Sequence, residues 1–101
     1  MQVNIEANSA EAREQVEQLL QFFRSGLRGK VDTVSIQVDR VRDPLGTSLY
    51  RCYLRAKVSR GADIVVDETQ ADLYRTVTRT LDRCVRAVRR RFDPERLSKS
   101  A

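Results

Sequence analysis

The apolar residues change their spacing along this chain, and the order of the changes limits the fold more than any single motif does. "VNIEA", residues 3–7, alternates apolar and polar and reads as a short strand with Val3 and Ile5 facing a core. The period then switches. Ala12, Val16, Leu19, Leu20, Phe23 and Leu27 share one face at roughly 100° per residue, a helix that Asn8 and Glu11 start and Gly26 and Gly29 end. "VDTVSIQVDRV", residues 31–41, alternates again, with Val34, Ile36 and Val38 on one face and Ser35, Gln37 and Asp39 on the other. A turn at "RDPLGTS" leads into "LYRCYLRAKV", residues 49–58, where Tyr50, Cys52, Leu54, Ala56 and Val58 point inward and Arg51, Tyr53, Arg55 and Lys57 outward. After "SRGAD" a short fourth strand, "IVV", precedes a last helix begun by Thr69 and Asp72.

The order β-α-β-β-β-α defines an α+β domain. A four-stranded sheet with one polar and one apolar face, plus two amphipathic helices, closes into a two-layer sandwich only if both helices cover the same face. The first two strands are parallel if they are neighbours, and the short turns make the rest antiparallel. At 101 residues the chain suffices for one such core, placed at residues 1–92, with "DPERLSKSA" at 93–101 a polar C-terminal tail.

The last helix carries the strongest functional signal. "DLYRTVTRTLDRCVRAVRRR", residues 72–91, holds seven arginines and two acids. On a helical wheel Leu73, Tyr74, Val77, Leu81, Cys84, Val85 and Val88 fill an apolar arc of roughly 120°. Arg75, Arg79, Arg83, Arg86 and Arg90 fall within roughly 80° on the other side. Arg89 flanks them, Arg91 does not belong, and only Asp82 lies near. Solvated helix faces ordinarily mix signs at i, i+4, and this one repeats a single sign, so phosphates outside the protein are the expected compensation. The net charge of +5 points to the same kind of partner, a polyanion.

A secondary basic surface is read at Arg51, Arg55 and Lys57 beside Tyr53 on the open sheet face, and at Arg24, Arg28 and Lys30 after the first helix. Charge on an open sheet face is also ordinary, and basic residues at a helix end also complement its dipole. Catalysis is not expected: the chain has no histidine, no glycine-rich phosphate loop and no framed pair of carboxylates. Cys52 and Cys84 lack metal or redox spacing and fall on core faces, so neither a metal nor another cofactor is expected. No apolar run has membrane-spanning length and the N-terminus has no leader-like pattern, so the expected setting is cytoplasmic, with no membrane partner and no small-molecule substrate.

The basic helix opening on "DLY" after strand-helix-strand-strand-strand resembles the ribosome hibernation-promoting factor and ribosome-associated inhibitor family, whose fold is like that of a double-stranded-RNA-binding domain. Asp72, Tyr74, Val77, Asp82, Arg83, Cys84, Arg86, Val88 and Arg90 stand at the places of that family's last-helix pattern. Arg75 and Arg79 depart from it, as does Thr80, so a divergent short form is expected. The resemblance implies a monomeric protein that binds rRNA in the decoding region of the small ribosomal subunit and excludes messenger and transfer RNA. A general double-stranded-RNA-binding module, or a domain docking an acidic protein, would use the same arginines.

Overall fold

The computed structural model describes residues 1–92; the tail expected at 93–101 lies outside the described residues. The elements are β1 (Gln2–Ala7), α1 (Ala10–Leu27), β2 (Val31–Arg42), β3 (Ser48–Val58), β4 (Ile64–Gln70) and α2 (Leu73–Phe92). They form one four-stranded sheet in the order β1-β2-β3-β4, with β1 parallel to β2 and the other pairs antiparallel. Both helices cover the same face. The core joins Val34, Ile36 and Val38 of β2, Cys52, Leu54 and Ala56 of β3, and Ile64 and Val66 of β4 with the apolar stripes of α1 and α2. This is the two-layer α+β sandwich that the spacing requires.

Local chemistry differs from the sequence reading at the element ends. Ser9, not Asn8, caps α1: its hydroxyl accepts from the Ala12 amide at 3.1 Å. Of the two glycines, only Gly29, at φ 77°, lies in the chain's exit from α1. Gly26 is inside the helix, where an added Cβ would come 2.9 Å from a methyl of Val85, so it is the point at which α1 and α2 approach closely. Asp72 starts α2 alone, accepting from the Arg75 amide at 3.0 Å, because Thr69 still belongs to β4. β4 also runs past "IVV" to Gln70, since pairing with β3 supplies hydrogen bonds that the polar sequence Asp67–Gln70 does not advertise.

The buried stripe of α2 is wider than the apolar arc and omits Tyr74. Tyr74 is 53% exposed, while Thr76 and Thr80 are fully buried. Their hydroxyls are satisfied within the helix, donating to the carbonyls of Asp72 and Thr76 at 2.7 Å each. Arg91, the arginine outside the ridge, is a brace. It donates to the carbonyls of Arg60 and Ala62 at 2.6 and 2.9 Å, across a turn where Gly61 has φ 80° and no Cβ to block the guanidinium.

Cys52 and Cys84 are buried and unpaired, and burial pushes both thiols up to about 11. Neither is a thiolate at neutral pH. Native protein is therefore expected to resist thiol labelling at pH 7 that goes to completion in denaturant, and Cys84→Ala to cost about 1–2 kcal/mol of stability. Rapid native labelling would contradict that placement.

Candidate nucleic-acid interface

The ridge arginines do come together on the exposed flank of α2. Arg75, Arg79, Arg83, Arg86, Arg89 and Arg90 are all exposed. Helical spacing alone places them in line, and the packing of α2 on the sheet decides where that line points. It runs beside β4, an edge strand, and a shallow groove between them is lined by Ile64, Val65, Val66, Arg83, Arg86, Ala87 and Arg90. Val65 contributes an apolar spot to this groove, being 48% exposed.

The ridge is not the single-sign row expected from the wheel. Glu68 continues the inward side of β4 after Ile64 and Val66, directly opposite Cys52 of β3. Its side chain is only 11% exposed, and its carboxylate meets Arg83 at 2.6 Å and Arg79 at 3.8 Å. Arg83 also reaches the Asp67 carbonyl at 3.5 Å. Arg86 pairs with Asp82 at 3.1 Å one turn away, an exposed i, i+4 pair of small energetic weight. Among the described residues Arg75, Arg89 and Arg90 have no ion pair. Sequence reasoning missed Glu68 because it ended the fourth strand at Val66. The available signal was the continued alternation Ile64, Val66, Glu68, which puts a carboxylate on the core side, where it needs a cation.

Two members of the secondary basic surface, Arg51 and Arg55, meet carboxylates of their own. On the open face of the sheet Arg51 grips Asp67 with two hydrogen bonds, 3.0 and 2.7 Å. This bond, more than the charge itself, raises the Arg51 pKa and holds the Asp67 carboxyl below the usual carboxylate range. Asp67 therefore stays ionised, and the pair neutral, into mild acid. Arg55 meets Asp63 at 3.4 Å, and Lys57 has no ion pair among the described residues. The Arg51 guanidinium also lies 6.0 Å from the Tyr53 ring centroid, so that stacking plane is already partly covered.

Arg24 lines a different groove, with Val3, Ile5, Arg13 and Leu20, at the β1 edge. Sheet order puts β1 and β4 on opposite edges, so Arg24 is not an extension of the ridge. Arg28 and Lys30 flank the turn into β2. Lys30 contributes its carbonyl, which accepts from the Ser59 amide at 3.1 Å. Six cations on one flank, three of them without an ion pair, are thus the largest arrangement here suited to a row of phosphates. Among the described residues no group of three or more metal-ligating side chains occurs, and no helix is long and apolar enough to cross a membrane.

No protein-family model matches the sequence, and no curated protein matches it with significance. Solved structures do match. A ribosomal subunit interface protein from Coxiella burnetii superposes with a TM-score of 0.67 at 17% identity, covering 87% of this chain and 93% of that one. The N-terminal domain of Protein Y from Thermus thermophilus superposes with a TM-score of 0.62 at 21% identity, covering 89% of this chain and 98% of that one. The β-α-β-β-β-α sandwich with its parallel first strand pair is therefore the fold of these two proteins, carried by a sequence that has diverged far from both.

Proposed function

We propose that the protein is a member of the hibernation-promoting factor family: a cytoplasmic, ribosome-associated inhibitor of translation that acts by occupancy, without chemistry. In this reading the α2 flank binds rRNA phosphates in the decoding region of the small subunit and excludes messenger and transfer RNA. The observation that carries it is the coincidence of two independent features. The fold is shared with a protein described as lying at a ribosomal subunit interface. The exposed flank of its last helix presents six arginines with few acids to neutralise them.

Arg75, Arg86, Arg89 and Arg90 are the principal contacts, with Arg79 and Arg83 held ready beside them. Arg51 and Arg55 are secondary: each has a carboxylate partner, and both lie on the open sheet face, opposite the face that α2 covers. Lys57, Arg24, Arg28 and Lys30 add long-range attraction, which acts on encounter more than on the bound state.

The test is co-sedimentation of the purified protein with isolated small ribosomal subunits, alongside binding to a plain RNA duplex of about 20 base pairs, long enough to satisfy a shape-reading module. Preferential binding to subunits, with inhibition of a purified translation system, is the expected result. Equal affinity for the duplex would make this a general double-stranded-RNA binder, and absence from the subunit fraction would remove the ribosomal reading.

A further inference from the structure

Two carboxylates meet the basic flank among the described residues, and Glu68 stands out as the less exposed of them, at 11% against 44% for Asp82. A protein selected only for attraction to phosphate gains nothing from an acid there, because each negative charge lowers affinity for any polyanion. Its burial suggests a different role. The carboxylate is 11% exposed while the Arg79 and Arg83 side chains are 62% and 53% exposed, so it engages both guanidinium groups from beneath, on their sheet-facing edges.

The outward edges stay available. Arg83 uses Nη1 for Glu68 and for the Asp67 carbonyl, and its Nε and Nη2 have no partner among the described residues. Arg79 approaches Glu68 through Nε at 3.8 Å, beyond hydrogen-bond length, which leaves both terminal nitrogens open. A guanidinium has five N–H donors in a rigid fork, so one edge can be tethered while the other takes a phosphate in bidentate fashion.

Resting on the ribosomal reading above, we infer that Glu68 is a positioning residue: it holds Arg83 by a hydrogen bond and draws Arg79 in beside it by charge, presetting the two as phosphate clamps. Part of the rotamer freedom that two long side chains would otherwise lose on binding is then already given up on folding. Their neighbours Arg75, Arg89 and Arg90 have no such tether among the described residues and become ordered only on meeting a phosphate.

Charge and position are separated by Glu68→Asp, which keeps the net charge but shortens the reach by one methylene, and by Glu68→Gln, which keeps the shape but raises the net charge by one. Both are read against small ribosomal subunits and the same RNA duplex, with melting temperature as the check on folding. Positioning predicts that Glu68→Asp weakens binding about tenfold with an unchanged salt slope, the scale of releasing two rotamer-rich side chains. It also predicts that Glu68→Gln binds no tighter than wild type despite its extra positive charge. In an Arg79→Ala, Arg83→Ala background the Glu68→Asp effect should vanish.

Glu68→Asp equal to wild type, together with tighter binding by Glu68→Gln, would make Glu68 a mere counter-charge and overturn the inference. Persistence of the effect without the two arginines would overturn it as well. If wild type shows no preference for subunits, the ribosomal reading fails by itself, and the duplex series still decides the role of Glu68. Should Glu68→Asp fail to fold, Glu68→Gln decides alone: binding no tighter than wild type supports positioning and tighter binding removes it.

Discussion

Replacing Arg75, Arg86 and Arg90 together with glutamate is expected to lower affinity for small ribosomal subunits about a thousandfold near 0.1 M salt and to leave the fold intact. Each phosphate contact releases condensed counterions with a slope of roughly 0.9 in log affinity against log salt, close to one decade per contact at that concentration. Three contacts therefore account for about three decades before the repulsion of the new carboxylates is added. The salt dependence should flatten by somewhat under three units. All three side chains are exposed; a glutamate at position 75 attracts Arg79 where Arg75 repelled it, while glutamates at positions 86 and 90 repel each other as the two arginines did, so the helix is left close to balance. Melting should shift by only a few degrees.

Arg83 is left out of that variant for a structural reason. Beneath it lies Glu68, 11% exposed, and a glutamate at position 83 would face that carboxylate instead of neutralising it. A loss of binding in such a protein would confound interface with fold. At position 86 the liability is smaller: a glutamate there repels Asp82 one turn away, but Arg86 and Asp82 are 68% and 44% exposed, so water screens the repulsion to about a few tenths of a kcal/mol. If the triple variant stays folded and still sediments with subunits, the binding surface lies elsewhere. Lys57 on the sheet face would then be the first residue to examine, since Arg51 and Arg55 are engaged by Asp67 and Asp63.

What was legible in the sequence follows from which interactions are local. The alternation of Val34, Ile36 and Val38, and of Cys52, Leu54 and Ala56, is a one-dimensional record of a two-faced sheet, and the structure buries those six residues. The stripe Val77, Leu81, Cys84, Val88 is likewise buried, because a helix repeats its geometry every turn. Strand β4 was legible only to Val66, since its continuation depends on hydrogen bonds from β3, a partner distant in sequence. Tyr74 misled for a similar reason. A wheel fixes the relative angles of side chains but not how wide an arc the neighbouring elements cover, and packing extends the buried arc to Thr76 and Thr80 while Tyr74, in the first turn, stays outside.

The charge ridge shows the same division. Its alignment is helical periodicity and visible in sequence, whereas the carboxylate under Arg79 and Arg83 comes from another element. The neutralisation of the sheet face was hidden as well. Arg51 and Asp67 are sixteen residues apart and meet only because β3 and β4 pair in this register.

Register also governs the largest expected loss of stability. In β2, Val31 and Val34 are both buried although their spacing breaks the alternation, and pairing with β3 explains why: Val31 faces Val58 and Thr33 faces Lys57, leaving Asp32 as an extra residue in a bulge. Deleting Asp32 lets Val31 move into the vacated position with its side chain still inward and still opposite Val58. Stability should change by no more than about 1 kcal/mol. Deleting Gln37, in the regular part of the strand, offers no such escape, because a one-residue slip exchanges the two faces. If the segment before the deletion shifts, Val34 and Ile36 turn to solvent while Thr33 and Ser35 turn inward; if the segment after it shifts, Val38 leaves the core and Asp39 enters opposite Cys52. Either way the exposed apolar side chains and the buried polar groups together cost on the order of 5 kcal/mol or more, comparable to the whole stability of a domain this size. Thermal melting followed by circular dichroism should therefore show a cooperative transition near the wild-type temperature for the Asp32 deletion and none for the Gln37 deletion. Equal damage from the two would mean that Asp32 is an ordinary ladder residue and that the bulge does not set the register of β2.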